Sequence, residues 1–160
     1  MKLKDFKLKE GNHFIAMEYY GLILNRTFLV LITKNELIGL KVNGIVSVKV
    51  NTGNPLTQEI TKILAITNDL ENPYSYAKSS FLNRLSEKDI YSQEILKDSS
   101  ANFKISKTEI IEVTYDKKKK WGIGPYPHDG KVYVKTKKKK TELIIMGKQS
   151  CEKIKNWIEK

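Results

Sequence analysis

What this chain lacks narrows its chemistry before what it holds. Its 160 residues include one cysteine, two histidines, four prolines and only two arginines, Arg26 and Arg84. The lone Cys151 forbids an internal disulfide, and with only His13 and His128 there is no Cys/His set for a tetrahedral zinc site. A reducing, cytosolic compartment is therefore expected. The longest uninterrupted apolar run is Phe28 to Ile32, far short of the roughly 20 residues that cross a bilayer, and the N-terminus lacks a secretory apolar core. The shortage of arginine counts against base-specific reading of nucleic acid, which exploits bidentate guanidinium contacts. Nucleotide motifs are missing too. Gly122-Ile-Gly124 has no third glycine, and Gly147-Lys148-Gln-Ser150 has neither the upstream glycine nor the adjacent Ser/Thr of a P-loop. No cofactor and no metal is expected.

What is present is a core and an excess of lysine. Apolar residues make up 40% and aromatics 9%, enough to bury a core over most of the length, so residues 1–160 are expected to form a single domain. Lys and Arg number 29 against 18 Asp and Glu, a net charge of +11. The excess is uneven: 13 basic and 11 acidic residues precede position 101, whereas 16 basic and 7 acidic residues follow Ser100. The later segment holds two tetralysine runs, Lys117, Lys118, Lys119, Lys120 and Lys137, Lys138, Lys139, Lys140, with Trp121 directly after the first. Such runs attract anionic lipid headgroups at roughly 1 kcal/mol per adjacent basic residue, or nucleic-acid phosphate through counterion release. The competing reading is compositional, because lysine crowds the whole chain and fills exposed turns without any ligand.

Periodicity supplies the elements. Residues 1 to 10 alternate imperfectly, as an edge strand or a frayed arm would. Strands are expected at Phe14 to Tyr20, Leu22 to Leu24, Phe28 to Thr33, Glu36 to Lys41 and Ile45 to Val50, a β-meander. A three-residue loop Val42-Asn43-Gly44, with Gly44 left-handed, would align Leu40 with Val46 and Ile38 with Val48 on one face. Asn54-Pro55 then opens a helix over 55–68, and Asn72-Pro73 opens a second reaching Leu85. The stretch 87–96 allows either a helical turn or an approach to a strand, and 98–102 reads as a loop. Strands return at Phe103 to Ile105, Ile110 to Tyr115, Lys131 to Thr136 and Glu142 to Met146. A closing helix over 149–159, capped by Ser150, places Cys151, Ile154, Trp157 and Ile158 on one face. The fold class is α+β: an antiparallel barrel or bent sheet, with strands over 14–50 and 103–146, a helical insertion over 55–85 and a terminal helix that caps it.

The segment Phe103-Lys-Ile-Ser-Lys-Thr-Glu-Ile-Ile-Glu-Val-Thr-Tyr115, followed by Lys131-Val-Tyr-Val-Lys-Thr136, Glu142-Leu-Ile-Ile-Met146 and the closing helix, resembles bacterial pleckstrin-homology-like (PH-like) domains of unknown function. The resemblance covers 28–50 and 100–160 and is one of pattern, with the helices at 55–85 as a departure. It implies a barrel stoppered by Gly147 to Lys160. It also implies binding rather than catalysis, with lipid headgroups, peptides or protein surfaces as partners. Phosphoinositide-binding members carry basic residues between their first two strands, whereas Thr33-Lys34-Asn35-Glu36 offers one lysine beside a glutamate.

These readings converge on a non-catalytic cytoplasmic module, peripheral at the membrane where lipid is its partner. Its basic half, through Lys117–Lys120, Trp121 and Lys137–Lys140, would meet an anionic membrane surface or an acidic protein. Sequence-blind nucleic-acid binding and an enzyme of unrecognised type are the alternatives. If 110–115 and 131–136 are consecutive strands, the two runs lie at opposite ends, about 20 Å apart at ~3.3 Å per residue. That spacing suits a broad anionic surface better than a small pocket. Trp121 could insert at an interface or stack on a base, but packing against the loop that follows is the preferred reading. His128-Asp129 reads as part of a turn through Asp129-Gly130 rather than an acid/base pair, and Cys151 as a buried helix-face thiol rather than a reactive one.

Overall fold

The structure, a computed structural model, describes residues 1–20, 24–46, 69–123 and 126–160. Among them seven strands form one antiparallel sheet, curled into a half-barrel, in the order β4-β3-β2-β1-β7-β6-β5. These are β1 (His13–Tyr20), β2 (Leu24–Ile32), β3 (Glu36–Asn43), β4 (Phe103–Ser106), β5 (Ile110–Asp116), β6 (His128–Thr136) and β7 (Lys140–Met146). Three helices accompany them: α1 (Ser79–Ser86), the single turn α2 (Glu94–Lys97) and the terminal α3 (Cys151–Glu159). The architecture is α+β. Two meanders, β1–β4 and β5–β7, are joined where Ala16 and Met17 pair with Ile145 and Ile144.

Period-two alternation divides the apolar residues between two cores on opposite faces of the sheet. Phe14, Ala16, Phe28, Val30, Leu37, Leu143 and Ile145 point to one face. There they meet Val113 of β5, Val132 and Val134 of β6, and Cys151, Ile154 and Ile158 of α3. Ile15, Met17, Leu29, Leu31, Ile38, Leu40, Ile144 and Met146 point to the other, under Leu3, Tyr76, Leu85, Ile90 and Ile95. Strand β2 therefore tolerates the unbroken run Phe28 to Ile32, because both its faces are covered. The start of α3 is closed by Ser150, whose hydroxyl accepts the Lys153 amide at 3.3 Å, and by Asp129, whose carboxylate accepts the Cys151 amide at 3.0 Å. Burying Ile154 and Ile158 contributes roughly 1.5–3 kcal/mol each.

Several expectations are corrected. The N-terminal ten residues are neither an edge strand nor a frayed arm. Leu3–Asp5 form a 3-10 turn, the Leu3 amide donates to the Lys88 carbonyl and the Ile90 amide to the Met1 carbonyl, and Leu3 is buried. Gly44 does not take the left-handed conformation. The chain leaves β3 instead, because side chains satisfy its backbone there. Asn43 accepts the Gly44 amide and donates to the Tyr76 carbonyl, while Asn25 bonds both the amide and the carbonyl of Val46. The expected residues 47–50 of a further strand and the helix over 55–68 lie outside the described residues. The helix begun at Asn72-Pro73 is broken. Pro73–Tyr76 are 3-10, Ala77 and Lys78 are extended, and the Lys78 amide is diverted to the Val42 carbonyl at 2.9 Å. Asp129-Gly130 is not a turn but a bulge within β6. Gly130 has φ +99°, and a Cβ there would stand 2.1 Å from the Asp116 carbonyl oxygen.

Candidate anionic-surface site

The face of β5 and β6 opposite α3 carries charged and polar side chains rather than an apolar row. Alternation puts Glu112, Thr114 and Asp116 of β5 beside Lys135, Tyr133 and Lys131 of β6, and Tyr133 in turn opposite Glu142 of β7. Lys131 is 9% exposed and pairs with Asp116 at 3.1 Å. Burial works against its charge, yet the carboxylate and the Tyr133 hydroxyl outweigh that and raise its pKa. Asp116 is held below the ordinary carboxylate range, first by the Lys118 amide and then by Lys131.

The first lysine run leaves β5 and divides between the two faces of the sheet. Lys117 pairs with Glu152 of α3 at 2.8 Å, which raises the ammonium pKa and lowers that of the carboxylate. Lys120 is held twice: its amide donates to His128 Nε2 at 2.9 Å, and its ammonium reaches Glu142 at 2.6 Å. Further on, Ile123 and Tyr126 are buried in the core, Tyr126 edge-on to Tyr76 at 5.8 Å. Among the described residues Lys118 and Lys119 meet no carboxylate, and both are exposed. Between the anchors Lys120 and Ile123 stands Trp121, 95% exposed. The packing role expected of Trp121 is thus corrected: Ile123 and Tyr126 perform it.

The second run is the β6–β7 connection. The Thr136 hydroxyl accepts the amides of Lys138 and Lys139, and the Thr136 amide donates to the Lys139 carbonyl at 2.9 Å. Lys139 Nζ lies 5.8 Å from the Phe103 ring centre and Lys140 Nζ 4.1 Å from that of Tyr133. Lys137 and Lys138 border a cavity of about 310 Å³ with Thr108, Glu109, Ile111 and Thr136.

The strand ends do separate the two runs, as Asp116 opposes Lys131 and Ile110 opposes Thr136. Yet their last members converge. Lys120 sits on Glu142, Lys140 sits over Tyr133, and Glu142 and Tyr133 are cross-strand partners. The expected separation thus holds for the strand ends, while Lys120 and Lys140 reach neighbouring positions on β6 and β7. Sequence reading missed the platform itself. The alternation Lys131-Val-Tyr-Val-Lys135 carried its signal, with two lysines and a tyrosine on one face and two valines on the other.

No reaction centre assembles around the other candidates. The His128 ring bonds the Lys120 amide and the Tyr126 carbonyl while Asp129 bonds the Cys151 amide, so these neighbours in sequence do not bond each other. Burial first, and then Asp129, pushes the Cys151 thiol up to about 11, the opposite of an activated nucleophile. Among the described residues no three His, Cys, Asp or Glu side chains group as metal ligands, and no helix is long and apolar enough to cross a membrane. No family model matches this chain, and neither a curated protein nor a solved structure matches it significantly.

Proposed function

We propose that the chain is a non-catalytic PH-like binding module that docks peripherally on an anionic membrane surface through the loop 117–123 and the second lysine run, Lys137–Lys140. The observation that carries this reading is Trp121, 95% exposed and two and three residues after the exposed Lys119 and Lys118. An indole near ammonium groups that meet no carboxylate among the described residues suits an interface where an apolar ring meets headgroups and cations meet lipid phosphate. Two further features support it. The strand ends set the two lysine runs apart, as a broad anionic surface requires, and two antiparallel meanders followed by a terminal helix are compatible with a binding module of this kind.

Sedimentation with phosphatidylserine-containing and pure phosphatidylcholine vesicles at low salt tests the proposal. Binding to the anionic vesicles alone is expected, falling as salt rises. At roughly 1 kcal/mol per lysine, K118A/K119A should weaken it about 30-fold, and W121A should weaken it further without loss of fold. Equal binding to both vesicle types would end the membrane reading. Retardation of generic DNA or RNA in its place would assign the same face to nucleic acid, with Trp121 stacking on bases.

A further inference from the structure

The loop that carries Trp121 is held at its centre by an imidazole, and the hydrogen bonds of that ring fix its protonation. His128 is 8% exposed. Its Nδ1 lies 2.9 Å from the Tyr126 carbonyl oxygen, which only accepts, so Nδ1 carries the proton. Its Nε2 lies 2.9 Å from the Lys120 amide, which only donates, so Nε2 must be bare. Both contacts are satisfied by a single species, the neutral Nδ1–H tautomer. An imidazolium has donors on both nitrogens, and Nε2–H would face the N–H of Lys120 with no acceptor between them.

We infer that His128 is a proton-operated latch on the loop 117–123: neutral, it clasps the Lys120 amide; protonated, it releases it. This deepens the proposed function by giving the same surface a regulator, and its purpose, though not its chemistry, rests on that reading. The charged and titratable groups around the ring are committed elsewhere. Lys120 directs its ammonium to Glu142, Asp129 its carboxylate to the start of α3, Lys131 pairs with Asp116, and Lys148 with Glu71. The phenols of Tyr126 and Tyr76 are pushed up by burial and stay neutral. No carboxylate among the described residues bonds the ring, so nothing there replaces the acceptor that protonation removes. With the Lys120 amide released, the loop stays tethered by the Lys120 ammonium on Glu142, by the Lys118 amide on Asp116 and by the buried Ile123.

Nuclear magnetic resonance of the full chain decides the matter without any lipid. At about pH 7.5 the ring correlation of His128 should show a bare Nε2 and a protonated Nδ1. On lowering the pH until the ring correlation shows both nitrogens protonated, protection of the Lys120 amide against hydrogen exchange, corrected for intrinsic pH dependence, should fall about tenfold or more. His128→Gln, which offers a carbonyl acceptor that does not titrate, should keep Lys120 protection constant over this range. A protonated Nε2 at neutral pH, or Lys120 protection that ignores pH in the wild type, would overturn the latch. So would the same pH response in the glutamine variant. If that variant does not fold, the two wild-type measurements still decide. A chain that ignores vesicles yet shows the expected tautomer and release keeps the latch and loses the membrane reading.

Discussion

The two halves of the sheet obey opposite rules. In β1–β3 and β7 successive residues are buried whichever way they point, Phe14, Ala16, Phe28 and Val30 under α3 and Ile15, Met17, Leu29 and Leu31 under the segment that follows β3. In β5 only Val113 is fully buried, and the residues on either side of it, Glu112 and Thr114, are exposed. One backbone architecture thus serves as scaffold at one end and as display surface at the other. The difference is set by what covers each face.

The sharpest way to break this contrast is a matched pair of truncations. Leu29→Ala removes an apolar side chain from the covered face of β2 and should cost about 2–5 kcal/mol in urea denaturation. Thr114→Ala on the uncovered face of β5 should stay within about 0.5 kcal/mol. Equal losses would mean that β5 is covered as thoroughly as β2.

A smaller effect tests the cover itself. The Asp98 side chain is 6% exposed and bonds Arg84 of α1 and Lys88. Burial opposes its charge, but those two cations outweigh it and hold the carboxyl below its usual range. Asp98→Asn should destabilise by roughly 1–3 kcal/mol. Because the folded carboxyl titrates lower than the unfolded one, the wild-type advantage is present at neutral pH. It shrinks as pH falls below about 4 toward the folded value, and denaturation curves of both proteins at several pH values check it.

The smallest effect concerns α3. The folded Cys151 thiol keeps its proton up to about 11, whereas its ordinary value is 9.0. The unfolded chain therefore loses this proton first, and the stabilisation that Cys151 gives relative to Cys151→Ala should decline as pH rises through that window. A gap between the two proteins that stays constant from about pH 8 to pH 11 would show that the thiol is not held as the structure implies.

Much of the fold was legible because the spacing of apolar residues is a local property. The Phe28 to Ile32 run, the Val132/Val134 alternation and the Cys151, Ile154, Ile158 stripe each announce their element without reference to the rest of the chain. What failed was non-local. Asn43-Gly44 reads as a hairpin signal, yet Asn43 spends its side chain on the Tyr76 carbonyl, 33 positions away. Asn72-Pro73 reads as a helix start, yet the Val42 carbonyl draws the Lys78 amide out of helical geometry. At the candidate site, composition pointed to the lysines but could not sort them.

By itself the sequence determined an antiparallel α+β domain, a terminal helix with one apolar stripe and a positive excess in the last 60 residues, since these follow from spacing and counting. Only the tertiary structure decided which charges are neutralised and which stay available. Glu152 and Glu142 reach Lys117 and Lys120 across 35 and 22 residues, leaving Lys118 and Lys119 beside an exposed Trp121. The physical reason is that the fate of a charge depends on what the fold carries to within a few ångströms of it, and residues distant in the chain set that.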